Sequence, residues 1–545
     1  MRTALLAGVV LALAGPAAAA IPPKAGLRPP PPPLVPRELS SLRPHAHALL
    51  QLERRHEPAT ERSLRRAGGQ LLSRRLRIWR LPSEAAERLV PRLAVAGELR
   101  EVEADRPVAF HGHLEGGDPL LPRQWWLSRI GADRAEPPGP GVPVTIIDSG
   151  LDASHPEFAG RLDTSLLNEQ SVLGRREFHG TGVASLVAAP ANGVGLVGVY
   201  PRAVIRAWDA SPNGRLTSGD VIAGIGRAAE LGPGVINLSI GGPNRDSLEE
   251  EAVLDAFDRG LVIVAAAGND REDGSPNTFP ANLPHVLTVG ATGPGDAVAA
   301  FSTESAGVDV AAPGEGIPIA VPVSYSPTGF SAASGTSFAA PIAAGATAWV
   351  WTARPELDKT QIIEVMRRSA RDLGVPGRDR DTGIGLLDIP TALAAPAPAS
   401  DPHEPNDDIA QVRAGGIFER AKPPLTTPAL GRASLDARLD LAEDPEDIYR
   451  AWIPARRSLL VRVRGDRDVD LQLWRAETTT VQTRSSAIRS KDLLRESARP
   501  GSGSETVRFA NRGRRGVWVY VDVFLRANGR ATEANYTLDL QTQSA

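Results

Sequence analysis

Between residues 144 and 290 the chain is written as short, mostly apolar runs separated by stretches of small residues. The runs at 144–147, 204–208, 235–239, 261–266 and 286–290 are too short for helices and lack the polar-apolar alternation of half-exposed strands. Apolar strands set between small-residue helices predict a parallel sheet covered by helices on both faces, an α/β layer structure. In such sheets functional side chains collect outside the carboxyl ends of the strands.

The period differs on either side of this block. Upstream, residues 75–81 alternate like a strand, 83–93 read as a helix with a capped start at Ser83, and 99–105 return as a strand, which predicts a small α+β unit. Downstream, an Ala/Pro linker at 396–403 leads into strict alternation. Leu459, Val461 and Val463 share one face, Leu471 and Leu473 another, Val517, Val519, Val521 and Val523 a third, and Tyr536, Leu538 and Leu540 a fourth. This pattern predicts an antiparallel β-sandwich over 404–545, with the polar tract 478–503 as a long loop.

At 545 residues the chain exceeds the size at which one core stops growing, so several folding units are expected. Its first residues carry one positive charge, a short apolar stretch and then Pro16-Ala17-Ala18-Ala19-Ala20, the pattern of a cleavable signal peptide over 1–20. Export to the extracellular space or periplasm is the expectation, with a mature form that is not membrane-embedded. The run Pro29-Pro30-Pro31-Pro32-Pro33 favours extended backbone and reads as a linker. Zero cysteines exclude disulfides, thiol nucleophiles and thiolate ligands. A net charge of −3 from 61 basic and 64 acidic residues gives no reason to expect nucleic acid as a partner.

Four short motifs carry candidate chemistry. Val144-Thr145-Ile146-Ile147-Asp148-Ser149-Gly150 delivers a carboxylate to a strand end, where it can orient a histidine or simply bond loop amides. In Phe178-His179-Gly180-Thr181-Gly182 an imidazole opens a helix of small residues, and its ordinary pKa of about 6.5 suits a general base. Ala265-Ala266-Ala267-Gly268-Asn269 ends an apolar strand in an amide that can donate to an oxyanion or form a turn. Gly335-Thr336-Ser337-Phe338-Ala339-Ala340-Pro341 sets a serine at the start of a buried helix, as nucleophile, as cap, or as both. One reading, serine-based acyl transfer, accounts for all four at once.

In this order, and with His155-Pro156, Ser239-Ile240-Gly241-Gly242, Phe279-Pro280-Ala281 and Ala311-Ala312-Pro313-Gly314 between them, the motifs resemble those of the subtilisin-like serine peptidases over 118–395. The resemblance implies a Ser337, His179, Asp148 triad, Asn269 in the oxyanion hole, and substrate contacts from Ser239, Ile240, Gly241, Ala266, Ala267 and Gly268. It implies protein or peptide substrates and no cofactor for the chemistry. Relatives bind calcium near the counterpart of 192–199, but that stretch offers one obvious oxygen side chain, Asn192, so structural calcium is left open and no metal ligand is assigned. Gly182 departs from the family, which usually has a second histidine there, and altered packing around the His179 helix is expected.

Residues 21–117 resemble the inhibitory propeptide of these enzymes, which is removed by the enzyme itself, here between His111 and Leu121. It would be an intramolecular partner until export is complete. Residues 404–545 resemble the pre-peptidase C-terminal domain, with Glu404-Pro405-Asn406-Asp407-Asp408 and Asp444-Pro445-Glu446-Asp447 as its marks. Those aspartates can bind calcium or cap loops, and capping is the simpler reading. A catalytically silent binding protein on the same fold is the alternative, against which all four chemical residues speak. An α/β-hydrolase is excluded, since that fold needs Gly-x-Ser-x-Gly with the serine first in the chain.

Overall fold

The computed structural model describes residues 47–73, 77–104, 118–171, 177–374, 376–418, 420–441, 444–482, 486–501, 503–525 and 533–544. The expected signal peptide, the proline-rich linker and the 111–117 part of the expected cleavage segment lie outside these residues. The chain divides into two compact units, Met1–His111 and Gly112–Ala545.

The first unit runs β1 (His47–Leu52), α1 (Pro58–Arg66), β2 (Gln70–Ser73), β3 (Ile78–Pro82), α2 (Ser83–Val95) and β4 (Leu99–Ala104). Its sheet has the order β2-β3-β1-β4 and is antiparallel at each paired edge. The strand, helix and strand read from sequence are β3, α2 and β4, to which the fold adds a matching β1, α1 and β2. Ala48, Leu50 and Leu52 of β1 join Trp79, Leu81, Ala86 and Val90 in its core. Ser83 does not cap α2 as expected: it is the first helical residue, Pro82 is the N-cap, and the buried Ser83 hydroxyl has no partner.

The second unit holds a seven-stranded, wholly parallel sheet of order β11-β10-β9-β8-β5-β7-β6. Its strands are β5 (Val144–Asp148), β6 (Thr164–Leu166), β7 (Ile205–Asp209), β8 (Gly234–Leu238), β9 (Leu261–Ala266), β10 (Val286–Thr292) and β11 (Val310–Pro313). The five predicted strands match β5, β7, β8, β9 and β10 within two residues. Every residue of β9 is buried: Val262, Val264 and Ala266 face one apolar core, Leu261, Ile263 and Ala265 the other. That two-sided burial is why the sequence shows no alternation.

Four helices cover the two faces. α4 (Ser218–Glu230) and α5 (Ser247–Asp258) pack on the face of Ile147, Ile236 and Ile263. On the other, α3 (His179–Ala188) lies against α6 (Thr336–Ala353), which is buried along almost its whole length. Gly182 is closely packed. A Cβ at Gly182 would stand 2.9 Å from Ile319 Cδ1, so the bare glycine lets the strand β12 (Ile317–Ala320), paired with β13 (Phe330–Ala333), close onto α3. No helix among the described residues is long and apolar enough to cross a membrane.

Beyond α7 (Lys359–Arg368) and the linker, two four-stranded antiparallel sheets pack as a sandwich. One has the order β14-β21-β16-β19, from β14 (Arg432–Asp440), β16 (Arg457–Gly465), β19 (Ser504–Ala510) and β21 (Glu533–Ser544). The other is β15-β20-β17-β18, from β15 (Glu446–Ile453), β17 (Asp470–Arg475), β18 (Leu493–Ser497) and β20 (Val517–Phe524). The alternating residues named from sequence meet in its core, where the Tyr449 and Tyr536 hydroxyls join the two sheets at 2.7 Å. The expected loop at 478–503 is corrected: it contains α8 (Ser486–Asp492) and β18, which pairs with β17.

Candidate active site

Asp148, His179, Asn269 and Ser337 all line one cleft of about 550 Å³ at the carboxyl ends of the central strands. Asp148 is the last residue of β5 and its side chain is 3% exposed. Its Oδ1 accepts the Ser149 N–H at 2.7 Å, and the carboxylate receives His179 Nδ1 at 2.8 and 3.1 Å. His179 is the first residue of α3. The start of that helix is tied to the Asp148 turn by two bonds, Gly180 N–H to Ser149 Oγ at 3.1 Å and Asp152 N–H to Thr181 Oγ1 at 2.9 Å. Burial pulls the His179 pKa down, but the adjacent Asp148 charge and hydrogen bond outweigh it, and the net shift is upward. A buried carboxylate on Nδ1 fixes the tautomer that leaves Nε2 to the cleft.

Ser337 is the second residue of α6. Gly335, at φ 153°, is the N-cap, so the serine does not cap its own helix. Its hydroxyl donates to the Ser239 carbonyl at 3.1 Å, and the Ser239 hydroxyl donates to the Ser337 carbonyl at 2.8 Å. Pro341 explains the second bond. Having no N–H, it cannot serve the carbonyl four residues back, and Ser239 supplies a donor instead. The Ser337 N–H is among the first four of α6, which have no intrahelical acceptor and sit at the positive end of the helix dipole.

Asn269 follows β9. Its Oδ1 accepts the Thr336 N–H at 2.8 Å and the Thr336 hydroxyl at 3.1 Å, while Thr336 Oγ1 accepts the Gly268 N–H at 3.1 Å. With the carbonyl end held by donors, the NH₂ is the end of the amide left over, and Asn269 lines the same cleft as Ser337.

Of the expected substrate contacts, Ser239, Ile240, Gly241, Ala266 and Gly268 line the cleft. Ala267 is fully buried, its N–H bonded to the Val289 carbonyl at 3.0 Å, and is not among the lining residues. Ser211, Leu216, Pro243, Asp270 and Thr278 also line it and were not anticipated. Leu216 is 47% exposed at the rim, an apolar surface that polar loop composition gave no reason to single out.

A second cluster lies at the 192–198 loop. Asp118 and Glu157, remote in sequence, are both buried there: Asp118 Oδ1 accepts the Val194 N–H at 3.0 Å and Glu157 Oε1 the Leu196 N–H at 2.9 Å. Their other oxygens, Asp118 Oδ2 and Glu157 Oε2, have no partner. Burial, aided by the Asp118 charge, pushes the Glu157 carboxyl up to about 8. Sequence reading credited this loop with Asn192 alone. Neither acid carries a signal in the sequence, since only its burial sets it apart.

The profile of the Subtilase family matches residues 139–385. Subtilisin DY of Bacillus licheniformis is 35% identical over 241 residues, covering 43% of this chain and 86% of that protein. Subtilisin BL of Lederbergia lenta is 34% identical over 254 residues, 46% and 92% of the two chains. Among solved structures, fervidolysin from Fervidobacterium pennivorans, described as a keratinolytic enzyme related to subtilisin, aligns with 86% of this chain and 69% of its own at 21% identity and a TM-score of 0.47. The chain belongs to the subtilase family and is a serine endopeptidase.

Proposed function

We propose that the protein is a secreted endopeptidase in which Ser337 is the nucleophile, His179 the general base and acid, and Asp148 the residue that holds the imidazole. The observation that carries this reading is the bond from His179 Nδ1 to buried Asp148 in the cleft that also holds Ser337. In the resting state the Ser337 hydroxyl is bonded to Ser239. On substrate binding it exchanges that acceptor for His179 Nε2, gives up its proton there, and Oγ attacks the scissile carbonyl carbon. The developing oxyanion takes hydrogen bonds from Asn269 Nδ2 and the Ser337 N–H. His179 then protonates the leaving amine, and water drawn through the same imidazole hydrolyses the acyl-enzyme. Ser239, Ile240, Gly241, Ala266 and Gly268 line the cleft where the substrate chain would lie, and Ala267 would support them from below.

Residues 1–20 direct export, and 21–117 act as an inhibitory propeptide that the enzyme removes from itself. The tail 404–545 is a separate sandwich domain. Calcium fits the Asp118, Glu157 and Asn192 cluster, because two buried carboxylate oxygens lack partners there and hard oxygen donors suit this ion. Its contribution would be to stabilise the loop, with no part in the acyl transfer.

Expression of the whole chain beside Ser337→Ala tests the reading. Parent protein is expected to react with a fluorophosphonate and shed its N-terminal unit, and Ser337→Ala to do neither. A folded parent that neither labels nor processes itself overturns it.

A further inference from the structure

Thr278, which no sequence motif singled out, spans the gap between two walls of the cleft. One wall is Ser239-Ile240-Gly241-Gly242, just beyond β8, and the other is Ala266-Ala267-Gly268-Asn269, at the end of β9. Thr278 lines the cleft between them and is 6% exposed. A Cβ on Gly241 would stand 2.7 Å from Thr278 Cγ2, and one on Gly268 would stand 2.5 Å from Thr278 Oγ1. The threonine thus touches both walls, its methyl against one and its hydroxyl against the other, and it forms a floor to the recess they bound.

That floor is fixed in place. The Thr278 carbonyl accepts the Asn282 N–H and Asn282 Nδ2, each at 2.9 Å, and the next residue, Phe279, exchanges two backbone bonds with Gly242 at 2.8 and 3.0 Å. On the opposite wall the Gly268 carbonyl accepts the Thr303 N–H at 3.0 Å, and Thr303 Oγ1 accepts the Asp270 N–H at 2.9 Å. A β-branched side chain on a pinned backbone has few rotamers to turn into, so widening the recess means breaking backbone bonds. The walls offer little for a long or charged group to bind. Ala266 contributes a methyl, the glycines no side chain, and the Ser239 hydroxyl is committed to the Ser337 carbonyl. Asp270 is exposed, where water screens its charge.

We propose that Thr278 is a specificity-determining residue that restricts the side chain preceding the scissile bond to small apolar types, with alanine the best fit and aromatic residues excluded. The inference rests on Ser337 being the nucleophile. With the acyl carbon on Ser337 Oγ and its oxygen toward Asn269, the side chain carried on the adjacent carbon enters the recess that begins at Ser239 and Asn269 and ends at Thr278. An alanine methyl needs only the space between the walls. A phenylalanine ring, which buries about 150–250 Å², would have to displace the threonine or part the two walls, and a packed, hydrogen-bonded floor resists both.

The test uses enzyme matured from the full chain, with Thr278→Gly, Thr278→Ala and Thr278→Val beside it, each normalised by fluorophosphonate titration. The substrates are tetrapeptide p-nitroanilides that differ only in the residue before the scissile bond, alanine, phenylalanine or lysine. The parent is expected to cleave the alanine substrate with a kcat/KM at least about tenfold above the other two. Thr278→Gly is expected to lower the alanine-to-phenylalanine ratio by about 10- to 200-fold. Thr278→Ala, which keeps Cβ and removes the two atoms that touch the walls, should shift the ratio the same way and serves if Thr278→Gly fails to fold. Thr278→Val keeps the shape without the hydroxyl and should hold the parent's ratio. A parent that titrates but favours phenylalanine or lysine, a ratio that Thr278→Gly and Thr278→Ala both leave unchanged, or a Thr278→Val ratio that falls as far as that of Thr278→Gly overturns this proposal alone. A folded parent that does not titrate overturns the Ser337 reading and this proposal with it.

Discussion

Gly180→Ala is the sharpest test of how the site is held, because it touches no reacting group. An ideal Cβ at Gly180 would stand 2.3 Å from the Gly150 carbonyl oxygen and 3.1 Å from the Gly150 C and N atoms. The obstacle is backbone, which cannot swing aside as a side-chain tip does. To restore even 3.0 Å, the start of α3 and the Asp148-Ser149-Gly150 turn must part by about 0.7 Å. His179 and Asp148 lie on those two segments, so their 2.8 Å bond would lengthen toward about 3.5 Å, the edge of hydrogen bonding. A 1 Å misplacement of a catalytic group costs roughly a hundredfold, so a fall in kcat of about 10- to 100-fold is expected. Alanine gains up to about 1 kcal/mol over glycine in a helix, while overpacking costs about 1–3 kcal/mol, leaving a net destabilisation of about 0–2 kcal/mol. Peptide hydrolysis normalised by active-site titration, together with a thermal melt, reads both numbers. The companion Gly182→Ala meets only the Ile319 Cδ1 tip at 2.9 Å and should change kcat less than threefold. A Gly180→Ala enzyme with kcat within twofold of the parent would refute the reasoning.

Three further outcomes follow from the same geometry. As the proposed general base His179 must be neutral, and Asp148 raises its pKa, so the acid limb of kcat/KM should inflect above 6.5; in Asp148→Asn it should move below that value, with a rate loss of about 10⁴, and a parent inflection at or below 6.5 would count against the pairing. Asn269→Ala should lower kcat by about 10²–10³ at nearly constant KM, a magnitude established on subtilisin and carried over here; stopped-flow acylation would expose a smaller effect. Ser239→Ala should leave the Ser337 carbonyl without its donor and cost about 1–3 kcal/mol by urea unfolding, whereas Ser239→Thr should retain most of that stability.

What could be read from the chain depended on whether burial left a period. The central strands were legible because both faces are covered, which forces continuous apolar runs between turn residues. The sandwich was legible for the opposite reason, since one face is wet and the other dry. β18 escaped because none of its five residues is buried and it joins the sheet through backbone bonds, which leave no mark in the side-chain pattern. α1 escaped similarly: Pro58 opens it, but only Thr60 and Leu64 are buried in nine residues, too few to set a helical stripe. β1 did carry a signal, since Ala48, Leu50 and Leu52 alternate inward, but six residues next to a proline-rich stretch do not stand out.

The site divides along a different line. Asp148, His179, Asn269 and Ser337 sit where a strand ends or a helix begins, and parallel-sheet topology alone brings such positions to one edge. Residues whose role depends on meeting a distant partner were silent. Asp118 and Glu157 reach one loop from different parts of the chain, and neither looks unusual until its burial is known. The Glu404-Pro405-Asn406-Asp407-Asp408 motif was recognised but read as caps, and that holds for one member: Asp408 accepts the Ile409 N–H and starts the helix Ile409–Val412. Asp407, one residue earlier, turns instead to His285, which is 122 positions away. Adjacent acids in one turn can thus serve local backbone geometry and long-range assembly, and only the identity of what lies opposite tells them apart. For Asp407 that neighbour is a histidine of the catalytic domain, so the tail is held by chemistry that neither domain's sequence contains alone.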